Sequence, residues 1–327
     1  MTRATLAVTF ALEPRQRALV EEAAGAEAQI VWLAGLDPAA RAAALRSAGA
    51  VLARHTNELT ADEKPLIAGA RLLQMMTAGI DYIPLAGLPP GLTIASNRGG
   101  FSEPMAEHAV ALALAAAKRL LVEHRNLERG EFNQFTRNRM LAGGVCGIYG
   151  YGGIGAATAR RMRGLGMRIH ALNRSGRTGD DVDWIGAPGR LHELLRASDV
   201  LVIATPLTRT THLSIAASEL ALMKEDAILV NLARGEIVDE DALYRHLCVH
   251  PRFSACLDAW WVEPMRHGAF RLDHPFLDLP NVIGSPHNSA MVPELYDGVL
   301  RYAVANCLRA IRGEAPERLV ADDERMG

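Results

Sequence analysis

Short apolar runs alternate with longer Ala/Leu/Arg/Glu-rich segments along most of the chain. TLAVTF (5–10), QIVWL (29–33), AVLA (50–53) and LTIAS (92–96) are brief, apolar and bounded by polar residues, so each predicts a strand. Strands separated by helical segments predict a parallel sheet covered by helices on both faces. Ala106, Val110 and Leu114 keep one apolar face at helical spacing, which predicts a single long helix from about Pro104 to Leu127. The polar stretch RGEFNQFTRNRMLAGG ends in paired glycines and reads, on pattern alone, as a connection between domains. A second alternating series follows: VCGIY (145–149), RIHAL (168–172), DVLVIAT (199–205), AILVNL (227–232) and SACLDA (254–259).

Two series of strands suit the length, because 327 residues are long for one core. An apolar fraction of 49% with 22% charged residues is that of a globular protein, and a net charge of −2 favours neither nucleic acid nor an anionic membrane as partner. The longest apolar run, Ala109–Ala117, falls well short of the roughly 20 residues a membrane span needs. Near the N-terminus Glu13, Pro14 and Arg15 interrupt the apolar stretch without a small-residue cleavage site, so it reads as a first strand and not as an export signal. Cys146, Cys248, Cys256 and Cys307 show no paired spacing. They are expected to be buried thiols in a reducing cytoplasm, with no disulfide or zinc site.

The second series opens on the most informative motif. In GIYGYGGIGAATARRM, Gly150, Gly152 and Gly155 form G-x-G-x-x-G directly after a strand and at the start of a helix, with Gly153 and Ile154 between them. The first glycine permits a tight turn, the second lets backbone approach a pyrophosphate, and the third lets helix and strand pack closely. The helix N-terminus then offers amides to the phosphates. The next strand ends in HALNRSGR, whose Asn173 lies where an NAD-selective site carries a carboxylate for the ribose 2′-hydroxyl. Here Asn173 is neutral, Arg174 and Arg177 can bond a 2′-phosphate, and Ser175 can donate to it, so NADP(H) is expected to be preferred over NAD(H).

Three further stretches follow strands of the second series. NLARGEIVDEDAL supplies Arg234, LDAWWVEP supplies Asp258 and Glu263, and SPHNSA supplies His287. Ligands of open α/β sheets collect at the carboxyl ends of the strands, so these groups are expected to meet near a nicotinamide. An arginine, a glutamate and a histidine suffice for reduction of a 2-oxo acid: Arg234 holds the carboxylate and polarises the carbonyl, His287 donates the proton, and Glu263 orients the imidazole. Among the other histidines, His108 and His124 read as structural, and His267 and His274 do not read as metal ligands. Trp260 and Trp261 read as packing residues, and Asp180, Asp181 and Asp183 as a solvated loop.

With these motifs in hand the chain resembles the D-isomer-specific 2-hydroxyacid dehydrogenase family, which includes glyoxylate/hydroxypyruvate reductases and phosphoglycerate dehydrogenases. The resemblance runs through QMMTAGID (74–81), SEPMAEHAVALAL (102–114), the glycine motif, ATPLTRTTH (204–212), LMKEDAILVNLARGEIVDEDAL (222–243) and LDLPNVIGSPHNSA (277–290). It implies Arg234, Glu263 and His287 as the catalytic trio. It implies a substrate carboxylate held by the amides of Ala78 and Gly79 and by Arg54, and a cofactor lying against Thr205, Pro206, Thr211, Leu232, Ala233 and Asp258. The implied fold is α/β with two doubly wound parallel sheets, a Rossmann cofactor domain (105–285) inserted in a flavodoxin-like substrate domain (1–104 plus 286–327, with a last helix near 292–313). Catalysis would lie in the cleft between them, and a homodimer through the cofactor domain is implied. Two departures stand out: the missing carboxylate after the second strand, and a segment from Glu263 to His287 that reads as longer than usual.

Two alternatives share this architecture. A formate or phosphite dehydrogenase is one, although the formate enzymes carry glutamine where this chain has Glu263. A nucleotide-sensing corepressor of the same fold is the other, and it would bind nucleotide without turning over a substrate.

Overall fold

The computed structural model describes residues 3–293 and 295–325. Met1, Thr2, Met326 and Gly327 at the ends of the expected substrate domain, and Glu294 in the expected last helix, lie outside them. The chain divides into two compact units, Met1–Phe101 with Val292–Gly327, and Ser102–Met291.

The first unit holds a five-stranded parallel sheet: β1 (Ala4–Val8), β2 (Ala28–Trp32), β3 (Ala48–Ala53), β4 (Leu73–Met75) and β5 (Ile94–Ala95), in the order β2-β1-β3-β4-β5. This is the flavodoxin-like order, with its reversal between β1 and β3. The strands are apolar on both sides because both faces are covered. Leu6, Val8, Ala50 and Leu52 pack with Val299, Leu300, Ala303 and Val304 of the last helix (Leu295–Arg312), whereas Ala7, Val51 and Ala53 meet Leu45 and Ile67. Helix α1 (Pro14–Ala24) carries proline in its first turn, and α2 (Pro38–Arg46) is capped by Asp37, which accepts the amides of Ala39 and Ala40.

The second unit begins with α3 (Ser102–Ala117) and α4 (Leu120–Glu128) where the apolar period predicts one helix. Arg119 between them has a left-handed backbone (φ 52°). The break has a tertiary cause: the amide of Arg139 takes the Ala117 carbonyl, and Lys118 Nζ donates to the Arg139 carbonyl. Arg139 also pairs with Asp199 at 2.7 Å. These contacts hold the 129–144 stretch inside the second unit. It is therefore no connection between domains, which its polarity suggested; the chain passes between units at Phe101 and again at Met291.

The seven-stranded parallel sheet comprises β6 (Val145–Tyr149), β7 (Arg168–Leu172), β8 (Trp184–Gly186), β9 (Val200–Ile203), β10 (Ile228–Asn231), β11 (Ser254–Leu257) and β12 (Val282–Gly284), ordered β12-β11-β10-β9-β6-β7-β8. Counted from β6, this is the Rossmann order 3-2-1-4-5-6 with a further strand at one edge. The helices are α5 (Gly153–Gly164), α6 (Leu191–Ala197), α7 (Ala217–Leu220), α8 (Glu240–Val249) and α9 (Pro264–His267); the last helix of the first unit is α10. The hydrophobic pattern predicts no strand at β4, β8 or β12, three residues each. Asp180, Asp181 and Asp183 lie in an exposed loop before β8, as their polarity predicts, and the Asp183 carboxylate also takes the Ile169 amide at 2.7 Å and pairs with Arg163. Cys146, Cys256 and Cys307 are buried, but Cys248 is exposed on α8, contrary to the expectation of four buried thiols.

Candidate active site

The three glycines of the G-x-G-x-x-G motif, in the second unit, have three different surroundings. Gly150 has φ 107°, and a Cβ there would lie 2.4 Å from the Thr205 amide nitrogen, because the backbone leaving β9 passes directly against this turn. A Cβ on Gly155 would lie 2.5 Å from the Gly150 carbonyl, so helix α5 reaches the turn only without a side chain. Around Gly152 no protein atom beyond its chain neighbours lies within 4 Å of that position. Gly152 and Gly153 are exposed, and the first turn of α5 carries no acidic side chain. An open, amide-rich helix start free of carboxylates is a cradle for an anionic group, and the residues present fit a dinucleotide pyrophosphate.

The basic loop after β7 is ordered by its own side chains. Asn173 Nδ2 donates to the Arg177 carbonyl at 2.7 Å, and its Oδ1 accepts the Ser175 hydroxyl and the Arg177 amide. Gly176 supplies the positive φ (64°) that closes the turn. Arg174 and Arg177 are exposed. Asn173 and Ser175 thus shape the turn that presents them. The loop of Thr205 and Pro206 is braced by Thr211, whose hydroxyl donates to the Pro206 carbonyl at 2.7 Å and accepts the Thr208 amide at 2.8 Å.

Two buried polar residues end the neighbouring strands β10 and β11. Asn231, fully buried, takes the Ala233 amide on Oδ1 and donates from Nδ2 to the Arg234 carbonyl at 2.8 Å. This sets the Leu232–Ala233–Arg234 turn. Leu232 is buried, and Gly235 beside it lies so close to the Trp260–Trp261 backbone that a Cβ would come within 2.5 Å. The Arg234 turn and the Glu263 loop are therefore packed together.

Asp258 is also fully buried. Its Oδ1 accepts the Ser285 hydroxyl at 2.6 Å and the Asn288 amide at 3.2 Å, and its Oδ2 accepts the Ser289 amide at 3.3 Å. The carboxylate points into the loop that carries His287, and its first partners are that loop's own groups. His287 has φ 52°, a left-handed backbone unusual for a residue with a Cβ. Its Nδ1 lies 2.8 Å from each carboxylate oxygen of Glu263. Glu263 Oε1 also accepts the Trp260 amide at 2.8 Å. Burial pushes the Glu263 carboxyl up, but the His287 hydrogen bond, the Trp260 amide and the charge of Arg234 together hold it below the ordinary carboxylate value. Trp260 and Trp261 are buried and donate from Nε1 to the carbonyls of Ser285 and Val238.

In the first unit Arg54 follows β3 at the reversal of strand order. Its guanidinium stacks over Phe10, 4.6 Å from the ring centre, and Glu58 accepts from its amide and Nε while also bonding Thr9. Ala78 and Gly79 sit half-buried in the loop after β4. Sequence reasoning missed Asn231, Ser285 and Glu58. Asn231 alone left a trace, as an amide near the end of an apolar strand. His108 read as structural; its Nε2 lies 2.9 Å from the Ser285 hydroxyl.

The family model described as "D-isomer specific 2-hydroxyacid dehydrogenase, NAD binding domain" matches residues 110–289. A glyoxylate reductase of Thermococcus kodakarensis is 34% identical over 239 residues, 70% of each chain. One from Korarchaeum cryptofilum is 32% identical over 256 residues, 76% of each. A solved structure from Pyrobaculum aerophilum, provisionally described as a formate dehydrogenase, superimposes with a TM-score of 0.80 at 28% identity, covering 98% of this chain and 99% of that one.

Proposed function

This chain belongs to the D-isomer specific 2-hydroxyacid dehydrogenase family, and from that premise we propose that it reduces a small 2-oxo acid of the glyoxylate or hydroxypyruvate type to the D-2-hydroxy acid, with NADPH preferred. It is an NAD(P)-dependent oxidoreductase of that family. The observation that carries the finer reading is the His287–Glu263 contact, an imidazole held at Nδ1 by a carboxylate that stays ionised.

A bound nicotinamide dinucleotide supplies the hydride. Gly150, Gly152, Gly153, Ile154 and Gly155 hold its pyrophosphate, and Thr205, Pro206, Leu232 and Ala233 line its path. Asn173 and Ser175 present Arg174 and Arg177 to the 2′-phosphate. Arg234 binds the substrate carboxylate and draws charge onto the carbonyl oxygen. With Nδ1 turned to Glu263, His287 offers Nε2 to that oxygen and donates a proton as the alkoxide forms; the reverse reaction returns the proton to the same nitrogen. Arg54 and the amides of Ala78 and Gly79 bind substrate in the same reading. Homodimer formation through the second unit is supported by Leu120, Leu127, Phe132, Phe135 and Met140, large apolar side chains exposed on one stretch of it.

The test is oxidation of NADPH with a panel of 2-oxo acids, beside formate oxidation with NADP. Turnover of glyoxylate or hydroxypyruvate that His287→Ala lowers by about 100-fold or more supports the reading. Formate turnover would support the other description carried by the Pyrobaculum structure. Nucleotide binding without turnover of any substrate would support a corepressor-like role.

A further inference from the structure

We propose that His108 and Ser285 are positioning residues for His287, acting through Asp258 as one hydrogen-bond chain. The inference rests on the acid–base reading of His287 given above. Asp258 grips the His287 loop on both sides of the histidine, through the Ser285 hydroxyl before it and the Asn288 and Ser289 amides after it. That grip holds His287 in its left-handed backbone, from which its Nδ1 meets Glu263.

Valence sets the direction of the chain. Ser285 has one hydroxyl hydrogen, and at 2.6 Å that hydrogen goes to Asp258 Oδ1. At the 2.9 Å contact with His108 the serine oxygen must then accept, so His108 Nε2 carries the proton. Ser285 is held further by its amide, which donates to the Leu257 carbonyl, and by its own carbonyl, which accepts Trp260 Nε1. These two bonds fix the serine backbone beside Asp258. Other charged groups are paired elsewhere: Glu103 and Glu107, also on α3, bind Arg161 of α5, and the group facing His287 is Glu263, under the charge of Arg234. His108 thus orients Ser285, Ser285 anchors Asp258, and Asp258 fixes the loop.

The experiment compares Ser285→Ala and His108→Phe, which break the chain, with Ser285→Thr and His108→Gln, which keep a hydroxyl and an N–H donor. Two quantities are read: the imidazole NMR titration of His287 in the cofactor-free protein, and kcat and KM for glyoxylate with NADPH across pH. The expected result is a displaced His287 titration and a kcat lowered about 10- to 100-fold in the breaking variants, with KM for NADPH within twofold of the parent and both quantities largely restored in the conservative pair. Breaking variants that lose thermal stability but keep the parent His287 titration and kcat would overturn the proposal. If instead His287→Ala itself retains turnover, the acid–base reading fails, while the NMR titration still scores the chain by itself.

Discussion

The two units solve one problem differently. Each is a parallel sheet whose strand order reverses once, and each presents candidate site residues just beyond its strand tips. In the second unit these side chains are aimed by buried polar residues, Asn231 under Arg234 and Asp258 under His287. In the first unit Arg54 lies half-exposed on Phe10, steered by Glu58 at 3.4 Å through a pair whose strength solvent screens. Under the proposed roles, the difference is that between a fixed reacting group and an adjustable binding group. Proton transfer tolerates little misplacement, whereas a carboxylate clamp works across a range of arginine positions.

The largest expected effect separates two glycines that look alike in the motif. Gly150→Ala places a Cβ 2.4 Å from the Thr205 amide at a positive φ and should leave little folded protein, measured by thermal denaturation. Gly152→Ala meets no protein atom beyond its chain neighbours, so its Tm should stay within about 2 °C of the parent while dinucleotide affinity falls, measured by calorimetry. A normal dinucleotide affinity in Gly152→Ala would break the assignment of that cradle.

Next comes the basic loop. Arg174→Ala should raise KM for NADPH about 10-fold or more and leave KM for NADH within twofold, as loss of a charge-assisted bond to the 2′-phosphate implies. Equal effects on both cofactors would remove the argument for NADP preference.

Glu263 gives a pH test. Its folded carboxyl titrates below its ordinary value, so its contribution to stability is fully present above that value and is lost as pH falls through the folded one. The Tm difference between the parent and Glu263→Gln should therefore shrink as pH falls from 7 to about 4, measured by calorimetry. A difference that grows on acidification would contradict the direction assigned here.

The smallest effect belongs to the first unit. Glu58→Gln should raise KM for the 2-oxo acid about two- to fivefold with kcat nearly unchanged, since the Arg54 pair is partly exposed. A loss in kcat as large as that expected of the second unit's anchors would erase the contrast between the units.

The amino-acid order alone determined what depends on neighbouring residues. Alternating apolar runs declared parallel sheets, the glycine spacing marked a turn between strand and helix, and a strand tip without a carboxylate set the cofactor question. These are local properties, because pleat, helix period and turn conformation act over a few residues. The tertiary structure decided what joins distant positions. Glu263 and His287 are 24 residues apart and meet only because β11 and β12 pair; the Asp258 grip and the left-handed φ of His287 come from the same packing. The break of the long helix at Arg119 depends on Arg139, and His108 reaches Ser285 across 177 residues. No periodicity within α3 distinguishes such a histidine from a structural one, since its partner lies on a strand tip that only the folded sheet brings near.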